Sequence, residues 1–122
     1  LNENIPLLAY SPLARGLLTG KYIGNVIPDG SRLSRDDKIR KIVNDKSDDA
    51  VKAYYNLAKM YDIDPIHMAL AFCKERPFMG SVIFGATDIV QLRRILKGLE
   101  LKLSKEINNE IKKLYKKYPL TF

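Results

Sequence analysis

The apolar run Leu7-Leu8-Ala9-Tyr10 stops at Ser11-Pro12 and opens into a loop that carries Arg15, Gly16, Thr19, Gly20 and Lys21. Glycines let a backbone turn its N–H groups toward a ligand, and an arginine and a lysine beside them supply positive charge. That combination suits a phosphate or another anion. A second stretch, Gly85 to Arg94, follows the same logic. There a glycine turn leads into a helix N-terminus, whose free N–H groups and dipole attract anions, with Arg93 or Arg94 to add charge. From the residues alone, each stretch is equally an ordinary strand–turn–helix junction that binds nothing.

Other chemistries lack their residues. No HExxH, CxxC, Walker A or GxGxxG pattern occurs, so no catalytic and no metal-ligating residue is assigned. The single histidine, His67 in DPIHMALA, has no second ligand at useful spacing and reads as structural. Tyr10 is a proton donor in principle, but an aromatic at a strand end more often offers a packing or stacking face. Cys73, the only cysteine, sits in the apolar stretch MALAFCKE and reads as a core thiol. Without a partner it makes no internal disulfide, which fits a reducing cytoplasm.

The elements that must position these loops follow from periodicity. Residues 6–11 read as a short buried strand. Residues 12–47 are rich in loops, with space for a short helix. Ser47 or Asp48 is placed to cap a helix running to about Tyr61, with Val51, Tyr54, Tyr55, Leu57, Ala58 and Tyr61 at helical spacing. Asp64 caps the next helix, about 65–75, with Pro65 at its first position. That helix is apolar almost all round, and therefore buried. SVIFGAT, 81–87, reads as a second strand. Asp88 caps the following helix, with Gln91 at capping-box spacing, and Ser104 caps a last helix with Ile107, Ile111, Leu114 and Tyr118 on one face.

Strands alternating with helices predict a parallel sheet. Both strands are continuous apolar runs that need cover on two faces, and two parallel strands leave two open edges. The pattern is therefore that of a piece of a larger α/β fold, prone alone to aggregate or dimerise. The chain does not begin with Met, which agrees with processing or with a longer parent. LNENIPLL has no basic start and no cleavage-like site, so it does not read as a signal peptide.

The 122 residues, 46% of them hydrophobic and 29% charged, describe a globular protein, and no stretch approaches a membrane span. The net charge is +7, of which +5 lies from Asp88 onward. A basic tail of this kind either binds a polyanion or forms a solvated helix face. Aromatic residues interleave with the basic ones only at Tyr115 and Tyr118, so nucleic acid ranks last among partners.

At this point two long motifs become recognisable. AYSPLARGLLTGKY resembles the seventh-strand segment of the aldo-keto reductases, and LAKMYDIDPIHMALAFCKERPFMGSVIFGATDIVQL resembles the family's run of helix, Pro-started helix, eighth strand and GAT…QL turn. The likeness covers nearly the whole chain, is weakest over about 33–47, and is greatest to the Tas-type bacterial branch. The resemblance implies an α/β fold, the C-terminal portion of a (β/α)8 TIM barrel. In such barrels the loops after strands 7 and 8 frequently form a phosphate site.

It also implies an oxidoreductase domain over 1–122 on the NADP(H)-binding side of a carbonyl reductase. The family's catalytic Asp, Tyr, Lys and His lie on earlier strands, so the chain alone is expected to be inactive. A separately encoded N-terminal half, or self-association, would supply the missing cover. By the family motif, Tyr10 would stack on the nicotinamide. Ser11, Pro12, Leu13, Ala14 and Arg15 would follow the pyrophosphate, and Lys21 would meet the phosphates. Arg32 would reach the adenosine end, with Gly85, Thr87 and Gln91 on the 2′-phosphate and adenine side. Ile95 stands where the family commonly has an adenine-bonding Asn, Arg94 where Glu is frequent, and Asp88 beside the expected phosphate. These departures imply affinity lowered by about 1–3 kcal/mol for a lost buried or charged hydrogen bond.

Overall fold

The structure, a computed structural model, describes residues 5–119. The reading of the first residues as no leader lies partly outside that range. Strand β1 (Leu7–Tyr10) is followed by a 3-10 segment (Ala14–Thr19), another (Arg32–Ser34), and helices α1 (Asp37–Arg40), α2 (Asp45–Met60) and α3 (Pro65–Lys74). Strand β2 (Met79–Ile83) and helices α4 (Ile89–Lys97) and α5 (Lys105–Lys117) complete the order. The short helix anticipated within 12–47 is α1.

The two strands pair in parallel, with Leu8 opposite Ser81, Ala9 opposite Val82 and Tyr10 opposite Ile83. The register slips by one residue between Leu7 and Leu8, and Gly80 is the extra residue. A Cβ on Gly80 would lie 2.6 Å from Pro6 Cβ, so only glycine lets Pro6 cross the bulge. The strand predicted at 81–87 sits earlier than expected. Its partner is the reason: β1 ends at Tyr10 because Ser11 turns left-handed, at φ 58°, and among the described residues β2 has no strand partner beyond Ile83. Phe84 packs instead against a small core of Ile66, Leu70 and Ile95.

The start of α2 also needs correction. Neither Ser47 nor Asp48 caps it. Asn44 does, accepting from the Ser47 N–H at 3.1 Å while Ser47 Oγ accepts from the Asn44 N–H at 3.0 Å. The pair is a reciprocal capping box of the kind that contributes about 1 kcal/mol, and it leaves the Asp48 carboxylate free for other work. The remaining caps fall where predicted, at Asp64, Asp88 and Ser104.

The main core joins α2, α3 and α5 through Leu57, Ala58, Met68, Ala71, Leu103, Ile107 and Ile111. Half-buried Cys73 lies on α3. Burial pushes its thiol pKa up, against a smaller opposing influence of Arg76, which keeps it a protonated thiol. His67 spends its ring on structure, with Nε2 2.5 Å from the Arg94 carbonyl oxygen. Gly98 lets the end of α4 close onto that ring, since a Cβ there would collide with it.

The sheet is covered on one face only. Val82 packs against Ile66 and Leu70 of α3 and Ile95 of α4. The register partners on the opposite face stay bare, with Leu8 61%, Tyr10 80% and Ile83 51% exposed. A parallel sheet normally buries both faces, so this face is built to be covered. Among the described residues no helix is long and apolar enough to cross a membrane.

Candidate anion site at the strand ends

Parallel pairing decides where the two loops lie. Tyr10 and Ile83 are register partners at the C-terminal ends of their strands, so the chain leaves the sheet twice from one rim. Adjacent strands stand about 4.8 Å apart, and Ser11 onward therefore starts beside Phe84 onward.

The loop after β1 has an unusual backbone. Ser11, Ala14 and Arg15 all have positive φ, at 58°, 48° and 58°, and Gly16 follows at 96°. Left-handed geometry costs about 1–2 kcal/mol per non-glycine residue, and it persists only where surrounding structure enforces it. The enforcement is visible. Ala14 N–H donates to Ser11 O and Gly16 N–H to Leu13 O, both at 2.9 Å, and Thr19 Oγ1 donates to Gly16 O at 2.7 Å. Leu13 is half-buried against the Ile66–Leu70–Ile95 core. Leu17 is buried in a separate cluster with Tyr22, Leu33 and Val51.

That cluster also positions the cations. Arg15 comes two residues before Leu17, Lys21 one before Tyr22, and Arg32 one before Leu33. Each charged side chain therefore rises from a backbone whose neighbour is locked in the same small core. Lys21 lies over the left-handed turn: a Cβ on Gly16 would be 3.3 Å from Lys21 Cε and 3.6 Å from Nζ. The same Cβ would be 3.5 Å from Tyr22 Cε2. The phenol oxygen of Tyr22 is buried without a hydrogen-bond partner among the described residues.

The loop after β2 is looser. Gly85, Thr87, Asp88 and Gln91 are all exposed, and a Cβ on Gly85 would meet nothing within 4 Å. Gln91 Oε1 accepts from Thr87 N–H at 3.3 Å and from Thr87 Oγ1 at 3.2 Å. Asp88 caps α4 by accepting from Gln91 N–H at 2.9 Å. Gln91 therefore bonds one residue upstream of the cap, so the expected capping box forms only on the Asp88 side.

Of the two arginines that follow, Arg94 is committed. Its guanidinium grips both carboxylate oxygens of Asp64, at 2.6 and 3.1 Å. Burial acts to raise the Asp64 pKa, but Arg94 and the Ile66 N–H outweigh it and hold the carboxyl below its ordinary value. Ile95 is buried in the core with Ile66 and Leu70, against Leu13, Val82 and Phe84. Among the described residues no cluster of His, Cys, Asp or Glu is arranged to hold a metal.

A sequence model of the Aldo/keto reductase family matches residues 1–116. The chain belongs to the aldo/keto reductase family. It is similar to "Protein tas" of Escherichia coli (strain K12), 37% identical over 116 residues that cover 95% of this chain and 34% of that protein. It is also similar to "L-glyceraldehyde 3-phosphate reductase" of the same strain, 31% identical over 103 residues, 80% of this chain and 30% of that one. A third relative is a "Probable voltage-gated potassium channel subunit beta" of Arabidopsis thaliana, 32% identical over 103 residues, 82% of this chain and 31% of that one. The chain spans about a third of the length of these relatives.

Within this family assignment, two parallel strands with their helices, open on both edges, form part of a (β/α)8 barrel, and the bare face with Leu8, Tyr10 and Ile83 fits a side that the other strands cover. Of the residues expected to meet a dinucleotide, Tyr10 and Ser11–Arg15 leave the rim at the end of β1 and Gly85, Thr87 and Gln91 follow β2, while Arg32 lies in the separate Arg32–Ser34 segment. Tyr10 offers an uncovered ring, Ser11–Arg15 a preformed turn, and Lys21 a cation over that turn. Arg15 and Arg32 are exposed, and Gly85 leaves open space. Pro12 is half-buried, and Leu13 and Ala14 contribute backbone and packing. The fit is better after β1 than after β2. There Thr87 and Gln91 satisfy each other, Arg94 is engaged by Asp64, and the Asp88 carboxylate already occupies the helix end. Two residues take roles that the sequence does not assign them: Gly16, read there as a loop glycine, makes room for Lys21, and Asp48, read there as a candidate cap, bonds the Gly24 N–H. The Gly16–Gly20 spacing signals the first, and nothing local signals the second.

Proposed function

We propose that this chain supplies the NADP(H)-binding side of a carbonyl reductase and that reduction requires the rest of the barrel. The observation that supports this reading most is the parallel pairing of Tyr10 with Ile83, which sets both loops on one rim. NADPH, when bound, supplies the hydride. Tyr10 would lie flat against the nicotinamide, an arrangement suited to an exposed aromatic face. The turn 11–16 would present its backbone to the pyrophosphate, with Arg15 and Lys21 as cationic partners. Arg32, Gly85, Thr87 and Gln91 would line the adenosine end.

The bare face and open edges argue for a covering partner. We take this to be the other strands of the same fold, on the same chain or on a separately encoded one. The test has two arms. Titration of the chain with NADPH, followed by nicotinamide fluorescence, is expected to saturate. Carbonyl reduction is expected only when the remaining strands, taken from a relative such as the Tas protein, are co-expressed with the chain. An unchanged signal at millimolar NADPH rejects the binding role. Binding without reduction by the combined pieces rejects the complementation and leaves a cofactor-binding module.

A further inference from the structure

The turn that carries Lys21 is held from outside by one face of α2. At its start, Gly20 (φ 83°) lies so close to the Tyr55 ring that a Cβ would be 2.7 Å from Cε2. At its far end, Gly24 and Asn25 are both left-handed, at φ 80° and 59°. Backbone N–H groups left open by a turn suit an anion. Here the anion is intramolecular. Asp48 Oδ1 accepts from the Gly24 N–H at 2.7 Å across 24 residues of sequence, and the Asn25 N–H acts on the same carboxylate.

Lys52, one turn on, meets the other oxygen at 2.5 Å, and Asp45 takes the Asn25 side-chain amide at 2.8 Å. Asp48 is only 8% exposed. Burial works to raise its pKa but loses to Lys52 and the two N–H groups, so the group stays a carboxylate. Asp48 is not the cap of α2, which has its own capping box, so its charge serves the turn.

We propose that Asp48 is a positioning residue for Lys21: its carboxylate pins the Gly20–Asn25 turn to α2 and thereby fixes the lysine ammonium over the Arg15–Gly16 backbone. What Lys21 meets there rests on the cofactor reading, whereas the pinning itself does not.

The full chain tests both parts. Trypsin cuts after Lys21 only when this turn opens, and local opening sets the rate. Asp48→Ala is expected to speed that cut by about tenfold while leaving the cut after Lys112 in α5 unchanged, because only one local equilibrium shifts. Asp48→Asn keeps an acceptor for the Gly24 N–H and loses only the Lys52 pair, so it is expected to restore most of the protection. NADPH affinity is expected to fall in Asp48→Ala, and Asp48→Ala is expected to add nothing to the loss caused by Lys21→Ala, since Asp48 acts only through that lysine. Equal acceleration of both cuts, or no acceleration in Asp48→Ala, overturns the proposal. Selective acceleration in a protein that binds no NADPH upholds the pinning and removes the cofactor reading.

Discussion

The loop after β1 and the loop after β2 leave the same sheet rim and are built in opposite ways. The first is over-determined. Its left-handed residues are held by bonds within the loop, two buried clusters lie beneath it, and α2 grips its far end through Asp48 and Tyr55. The second depends on short-range bonds among Thr87, Asp88 and Gln91, with open space around Gly85. The contrast shows where preorganisation lies. A ligand on this rim would meet a ready-made turn with fixed cations on one side and a surface that must order on the other. Ordering costs conformational entropy at binding, which assigns most of the affinity to the first loop.

Substitutions can break or sharpen that contrast. Gly20→Ala adds a methyl where the backbone is left-handed and the Tyr55 ring is 2.7 Å away. The expected loss is about 2–4 kcal/mol in urea unfolding, from backbone strain and overpacking together. Removing the cap of α4 with Asp88→Ala is expected to cost about 1 kcal/mol, and faster amide exchange at Gln91 should show that the loss is local. Arg94→Met releases Asp64 from its partly exposed pair, with an expected cost of about 0.5–1 kcal/mol. Gly85→Ala, whose new methyl meets nothing, is expected to change stability by less than about 0.5 kcal/mol. If Gly85→Ala destabilises as much as Gly20→Ala, the two loops are not different in kind.

Acidification separates the same regions. The folded-state pKa values of Asp48 and Asp64 lie below the ordinary 3.8. The unfolded chain therefore binds their protons first. Their stabilisation is complete above about pH 5 and is lost as the pH falls through 3.8 toward the lower folded values. Thermal melts between pH 5 and pH 3 should show stability falling with pH. Asp64→Asn is expected to flatten part of that slope, and Arg94→Met part of the same share, because the two groups form one pair.

Much of the architecture was legible because it is periodic. The stripe of Ile107, Ile111 and Leu114 marks α5, Asp64-Pro65 marks the start of α3, and alternation of strands and helices anticipates the parallel sheet. The end of β2 was not legible, since it depends on where its partner stops, and β1 stops at the left-handed Ser11. The cap of α2 lies three or four residues before the expected Ser47 or Asp48, because Asn44 also suits a cap and only the reciprocal bonds decide. In the site, the glycines and cations were visible, but the left-handed Ala14 and Arg15 were not, as neither residue type favours that geometry. The link from Asp48 to Gly24 spans 24 residues and leaves no local pattern.

The most direct test of the shared rim is NADPH titration of the chain and of three variants, Tyr10→Ala, Lys21→Ala and Gln91→Ala, by nicotinamide fluorescence. Saturable binding is expected, weakened about tenfold or more by Lys21→Ala, which removes a charged phosphate partner, and clearly less by Gln91→Ala. Binding that ignores both Tyr10 and Lys21, or no binding at millimolar NADPH, would contradict the account.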